Sequence, residues 1–229
     1  MVKLTIDGIQ VEAEKGTSIL HAAESVGIEV PTLCYIKDLL PDGSCRMCMV
    51  EIESRGRTKM ETACTAQVAE GLVVTTNSEK VRNARRNILD MLLSNHKTDC
   101  FSCPSNGDCK LQELCFEYGI ERTTYSGEQT ELPIDDSNKF FTYNPNLCIL
   151  CHRCVNTCHK IVGRGAIDTM ERGFDSAIGT PFHIDWADTN CESCGNCVQA
   201  CPTGALTMKR RKNYRKYQID KKVLSECSY

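Results

Sequence analysis

Long apolar runs are missing from this 229-residue chain: no stretch of 18 apolar residues occurs, so the sequence holds no helical membrane span. The opening residues, Met1-Val2-Lys3-Leu4-Thr5-Ile6-Asp7-Gly8, lack the apolar core of a secretion signal, and a reducing cytoplasm is the expected compartment. Charge of one sign is also missing: 27 Lys and Arg face 30 Asp and Glu, a formal charge of −3. That balance speaks against nucleic acid as a partner and for a globular chain. Aromatics are few, at 6%, with one Trp. No Gly-x-Gly-x-x-Gly follows a strand, and Gly163-Arg164-Gly165-Ala166 has no third glycine in place. No phosphate loop, no His-Glu-x-x-His and no Cys-x3-Cys-x2-Cys run occurs. Nucleotide, flavin and substrate sites are therefore expected on other chains.

Cysteine is the exception to this scarcity, with 17 residues. In a reducing compartment so many thiols point to metal rather than disulfides, and the odd count fits a full disulfide set badly. They fall into three blocks: Cys34, Cys45, Cys48 and Cys64; then Cys100, Cys103 and Cys109, with His96 upstream; then Cys148, Cys151, Cys154, Cys158, Cys191, Cys194, Cys197 and Cys201. Cys115 and Cys227 stand outside them.

The third block is an internal duplication. Cys148-x2-Cys151-x2-Cys154-x3-Cys158 recurs as Cys191-x2-Cys194-x2-Cys197-x3-Cys201-Pro202, the spacing of bacterial two-cluster ferredoxins. Two residues between donors let the chain curl round a cubane with backbone N–H groups turned toward its sulfides. The fourth cysteine of each run lies past that loop and serves the other cluster. The spacing thus assigns Cys148, Cys151, Cys154 and Cys201 to one [4Fe–4S] cluster, and Cys158, Cys191, Cys194 and Cys197 to a second. Zinc usually takes two separated pairs, and two unbroken four-cysteine runs give it no reason. The 32 residues between Cys158 and Cys191 read as an insertion with a strand pair around Ala177–Ile184.

The first block, Cys34-x10-Cys45-x2-Cys48-x15-Cys64, has the logic of a plant-type [2Fe–2S] site with a longer first gap. Zinc or reduced buried thiols are the alternatives. In the second block, His96-x3-Cys100-x2-Cys103-x5-Cys109 supplies three thiolates and an imidazole, which suits a [4Fe–4S] cluster and is also a common structural zinc set. Cys115 competes with His96 as fourth donor. A buried thiol on a helix over Leu111–Tyr118 is its favoured reading, since free cysteine packs as a small hydrophobe.

The intervening segments read as an α+β frame. Alternation over residues 2–12, broken by Asp7-Gly8, signals a hairpin. Thr17 to Val26 suits a helix capped by Thr17 or Ser18 and stopped at Gly27. Met49–Ile52 and Leu72–Thr75 suit strands. Over residues 79–95, Val81, Ala84, Ile88, Met91 and Leu92 form an apolar stripe, with Lys80, Arg82, Arg85 and Arg86 on the polar face. Residues 126–139 are rich in Ser, Gly, Asp and Pro and read as a surface linker. From Lys209 to Lys222 there are eight Lys or Arg against one Asp, a docking strip or solvated tail. His21 reads as a packing residue, His152 and His159 as neighbours of metal donors, and His183 carries no signal.

The motifs Pro31-Thr32-Leu33-Cys34, Gly43-Ser44-Cys45-Arg46-Met47-Cys48, Thr62-Ala63-Cys64-Thr65, His96 with its three cysteines, Gly107-Asp108-Cys109-Lys110-Leu111-Gln112 and the ferredoxin pair occur in this order over residues 1–208. In combination they resemble the N-terminal part of the large iron–sulfur subunit of respiratory NADH dehydrogenase. The module at the N-terminus of [FeFe] hydrogenases and NAD-linked formate dehydrogenases is similar, as is the small diaphorase subunit of soluble NAD-reducing hydrogenases. The resemblance implies a β-grasp [2Fe–2S] ferredoxin domain (1–78), a helical one-His/three-Cys [4Fe–4S] domain (79–125), a linker (126–140), a bacterial-type 2[4Fe–4S] ferredoxin domain (141–208) and a basic tail (209–229). It makes His96 a ligand and Cys115 none.

It also implies an electron relay of one [2Fe–2S] and three [4Fe–4S] clusters between a flavin/NAD(P)-binding subunit and a catalytic redox subunit, a hydrogenase or formate dehydrogenase, or ferredoxin. The chain ends at Tyr229 without cysteines for a hydrogen-activating cluster or room for a molybdopterin domain, so a stand-alone subunit with no catalytic site is expected. All eight ferredoxin-type cysteines are present, whereas some diaphorase subunits lack a set. The rival readings are a free-standing multi-cluster shuttle and a zinc-stabilised binding module using the basic tail.

Overall fold

Asp7 and Gly8 both take positive φ, 45° and 83°, as a two-residue hairpin turn requires. They join β1 (Val2–Ile6) to β2 (Ile9–Ala13). Helix α1 (Ile19–Ser25) is capped by Ser18, whose hydroxyl accepts from the His21 N–H. Strands β3 (Met49–Ser54), β4 (Arg57–Thr62) and β5 (Leu72–Thr75) complete a five-stranded sheet in the order β2-β1-β5-β3-β4. The β1–β5 pair is parallel, and the other neighbours are antiparallel. Strand β4 is an addition to the sequence reading. Its signal is the Arg55-Gly56 turn, masked by a strand rich in charge on an exposed edge. Leu4, Ile6, Val11, Val50, Ile52 and Val74 from one sheet face bury against Ile19, Leu20 and Ala23 of α1.

The described residues are 1–210; the rest of the basic tail, with Cys227, lies outside them in this computed structural model. Helix α2 (Glu79–Ser94) starts at Ser78, which accepts from the Val81 N–H. Its buried face is Val81, Arg85, Leu89 and Leu93, a strict i, i+4 row. This corrects the sequence reading, which put Arg85 on the polar side. Met91, assigned to the stripe, is 53% exposed. Arg85 goes inside because neutral oxygens wait there: it donates to Tyr118 Oη at 2.9 Å and to the Met49 carbonyl at 2.8 Å. Tyr118 follows helix α3 (Lys110–Glu117), so one guanidinium joins three elements.

Strands β6 (Phe141–Tyr143) and β9 (Leu206–Met208) pair antiparallel around the third cysteine block. Between them come the short helices α4 (Arg153–Asn156) and α5 (Asn196–Ala200), packed on each other, and a hairpin of β7 (Asp168–Met170) and β8 (Ala177–Gly179). The expected strand pair around Ala177–Ile184 is thus displaced: its first half pairs backward with β7. Pro181 has no N–H to donate to a ladder, and the strand stops there in a short turn, Pro181–His183, with Phe182 and His183 at positive φ. Residues 126–139 hold one bridge, Asp135 to Tyr143, and are fastened by Asn146 to Leu132 and Asn95 to Thr130.

The β1–β2 turn is tied to the end of β5. The Thr76 N–H donates to Asp7 Oδ1 at 2.7 Å and its hydroxyl donates to Oδ2. Thr76 is buried, so Asp7→Ala leaves two donors without a partner. The expected loss is about 2 kcal/mol of unfolding free energy. It would be read as a lowered denaturant midpoint at unchanged slope.

Candidate metal centres

The three blocks become places where thiols crowd together, and none of the described cysteines forms a disulfide. In the first block Cys34, Cys45, Cys48 and Cys64 are all less than 9% exposed. The loop after α1 brings Cys34 and Cys45 together, β3 starts at the residue after Cys48, and Cys64 follows β4. The sulfurs of Cys48 and Cys64 lie 3.3 Å apart. The Cys45 thiol and the N–H groups of Cys45 and Ser44 hold the Cys34 thiol down at about 5. The nearby thiols and burial push Cys45 and Cys64 up. Four such groups cannot all ionise in a dry interior unless a cation neutralises them.

In the second block the C-terminal end of α2 delivers His96, and Cys109 stands at the head of α3. A cavity is bordered by His96, Cys100, Cys103 and Cys109, with Gln112 and Gly204 beside them. His96 is 8% exposed, and its Nδ1 is buried without a hydrogen-bond partner. Burial holds its imidazole down at about 4, so a neutral ring presents a lone pair. Cys115 is buried on α3, pushed up to about 12 by burial, and does not border the cavity.

The third block forms two cavities. One is bordered by Cys148, Cys151, Cys154 and Cys201, with Tyr143 and Thr203. The other is bordered by Cys158, Cys191, Cys194 and Cys197, with Phe141 and Trp186. Each therefore takes its fourth thiol from the opposite run. The duplication extends to the backbone. Leu150 and Ser193 take φ of 51° and 55°, and their N–H groups each donate to the sulfur two residues back, Cys148 or Cys191, at 3.4 Å. His152 and Gly195, both left-handed at 59° and 77°, then start α4 and α5. Glycine takes that conformation freely; at His152 the surrounding fold must hold it.

Among the described residues, no three His, Cys, Asp or Glu side chains converge on one point as a single metal ion requires. The thiols border voids instead, and the glycine beside one void has no room for a side chain. A Cβ on Gly204 would sit 2.7 Å from Cys103 Sγ. The orphaned His96 nitrogen and the four-donor rims suit groups larger than one ion. Of the other histidines, His21 is exposed and meets Tyr35 edge-on, with centroids 5.7 Å apart, rather than packing in the core. His159 Nε2 lies 2.9 Å from the Ile167 carbonyl, and His183 pairs with Glu171.

Residues 1–79 match the 2Fe-2S iron-sulfur cluster binding domain. Residues 85–124 match the NADH-ubiquinone oxidoreductase-G iron-sulfur binding region. Residues 140–207 match the ferredoxin-like domain of NADH-quinone oxidoreductase subunit 3. A chain in the crystal structure of NAD+-reducing [NiFe]-hydrogenase in the H2-reduced state is 30% identical, with a TM-score of 0.83 over 91% of this chain and 88% of that one. This chain belongs to that family of iron–sulfur subunits.

Other family members extend well beyond it. The NADPH-Fe(3+) oxidoreductase subunit alpha of Geobacter sulfurreducens is 44% identical over 91% of this chain and 24% of its own length. NADP-reducing hydrogenase subunit HndD of Solidesulfovibrio fructosivorans is 38% identical over 90% and 36%. The chain thus spans about a quarter to just over a third of the length of these curated relatives. One [2Fe–2S] domain and [4Fe–4S]-binding domains are present. Among the described residues no helix is long and apolar enough to cross a membrane.

Gly204→Ala should push Cys103 off the rim of the second-block cavity and cost the protein the metal held there. Iron and acid-labile sulfide measured beside Gly127→Ala, where a Cβ meets nothing within 4 Å, would check this.

Proposed function

We propose that this chain is the electron-relay subunit of an NAD(P)H-linked multi-subunit oxidoreductase, holding one [2Fe–2S] and three [4Fe–4S] clusters. In this reading Cys34, Cys45, Cys48 and Cys64 hold the first. His96, Cys100, Cys103 and Cys109 hold the second. Cys148, Cys151, Cys154 and Cys201 hold the third, and Cys158, Cys191, Cys194 and Cys197 the fourth. The observation that carries it is the set of three cavities, each rimmed by four donors: two in the groupings that ferredoxin-type spacing calls for, and one that joins His96 to three thiols.

Bound clusters supply one-electron storage and release near the potentials their surroundings impose. The chain's own residues do the rest. The N–H groups of Leu150 and Ser193 face ligand sulfurs and stabilise their negative charge. Trp186, Phe141 and Tyr143, which meet at 4.9 and 5.1 Å, form the apolar wall on the inner side of the ferredoxin-type sites. The neutral His96 ring replaces one thiolate and so removes one negative charge from its site, which raises that site's potential relative to an all-cysteine one.

The partners that fit are a flavin/NAD(P)-binding subunit and a catalytic redox subunit. A hydrogenase is the reading favoured by the likeness to the solved NAD+-reducing enzyme; a formate dehydrogenase or ferredoxin uses the same wiring. A cytoplasmic location follows from oxygen-sensitive, thiolate-held iron in a reducing compartment.

Anaerobically purified protein should contain about 14 iron and about 14 sulfide per chain. His96→Ala should remove about four of each while three clusters remain visible by electron paramagnetic resonance (EPR), and Cys115→Ala should remove none. Loss in Cys115→Ala with retention in His96→Ala would reverse the assignment of the fourth donor. Zinc in place of iron would end the relay reading.

A further inference from the structure

The internal duplication offers a comparison within one molecule. The loop Cys148-Ile149-Leu150-Cys151-His152-Arg153-Cys154 and the loop Cys191-Glu192-Ser193-Cys194-Gly195-Asn196-Cys197 share their backbone path, including both left-handed residues. Their side chains differ in charge at two places: where the second loop has Glu192 and Asn196, the first has Ile149 and Arg153.

The surroundings of the two loops differ as well. Cys151 and Cys154 are 6% and 8% exposed, whereas Cys194 is on the surface. The charge in the second loop is already balanced, since Glu192 pairs with Arg164 at 3.3 Å. The guanidinium in the first loop is not. Arg153 Nε is buried without a hydrogen-bond partner, and among the described residues no acidic group pairs with Arg153. Arg153 stands between Cys151 and Cys154, so its charge belongs to the ligand loop itself. A partly buried cation with no protein anion is costly unless something else nearby is negative.

We propose that Arg153 is the counter-charge of the site rimmed by Cys148, Cys151, Cys154 and Cys201, and that it positions the reduction potential of that site. This rests on the reading of that rim as a [4Fe–4S] site. Four thiolates make such a site anionic, and reduction adds one more negative charge. In a dry interior that added charge is disfavoured, and a fixed cation beside the ligand loop offsets the penalty. The more exposed sister site has water for the same purpose and carries an amide, Asn196 Nδ2, 3.5 Å from Cys194 Sγ. The two sites thus reach workable potentials by different means, one by a built-in charge and one by solvent and a neutral hydrogen bond.

The test is a redox titration followed by EPR on the full-length, anaerobically prepared protein, with iron and sulfide measured on the same samples. Arg153→Gln should move the midpoint of one [4Fe–4S] cluster to lower potential at unchanged iron and sulfide. Arg153→Lys, which keeps the charge, should stay near the parent value. Asn196→Arg, which transplants the charge, should raise the midpoint of a different [4Fe–4S] cluster. Midpoints in Arg153→Gln that match the parent at full cluster content would overturn the proposal. If Arg153→Gln loses its cluster, Asn196→Arg decides: a fully loaded variant with unmoved midpoints overturns it, and a raised one supports it. Parent protein without iron and sulfide would defeat the site reading itself, an outcome separate from any of these.

Discussion

Negative charge held away from water is the constraint on which this molecule is built. Fifteen cysteines and His96 crowd together in the three blocks, and most of those sulfurs are buried or half-buried. Burial pushes Cys109, Cys148, Cys151 and Cys197 up to about 11 or 12, so the thiols alone prefer to stay protonated. Multivalent iron, in the reading proposed above, would reverse that preference. Folding therefore supplies geometry, and the metal supplies the energy that makes the geometry worth holding.

Packing joins the sets as well as enclosing them. One apolar core contains Cys34 and Cys45 from the first block, Cys109 from the second and Cys151 from the third, cemented by Leu33, Met47, Leu89, Leu111, Leu114 and Ile149. The sheet and the ferredoxin-type part have apolar cores of their own. Arg85 ties α2 to β3 and to the end of α3 through two neutral oxygens, and Asp42 in the first cysteine loop meets Asn156 and Lys160 of the third block. The three blocks thus share one interior.

Family membership and the cavities bear on different questions. The matched domains and the hydrogenase chain establish the kind of module this is. The exchange of fourth thiols between the two ferredoxin-type runs, the unpartnered His96 nitrogen and the absence of Cys115 from the rim are properties of this chain's own fold. They make the donor sets specific enough to test residue by residue.

Cysteine spacing, the Asp7-Gly8 turn and the cap at Ser18 were decided locally, because a few consecutive residues determine how far a loop reaches and where a helix starts. The sequence by itself therefore determined the α+β class and the order of the cysteine blocks. Other features needed the folded chain. Arg85 looks like a surface residue until Tyr118 and the Met49 carbonyl arrive from elsewhere, and β4 looks like a polar loop until β3 pairs with it. The strand pair expected around 177–184 is replaced by one strand, 177–179, that pairs backward with 168–170, a partner fixed by register rather than by composition. His96 and Cys115 sit at similar depth, and only the placement of α2 against α3 puts one on the cavity rim and leaves the other behind it. Such choices depend on groups far apart in the chain, and burial and electrostatics acquire their sign only once those groups are neighbours.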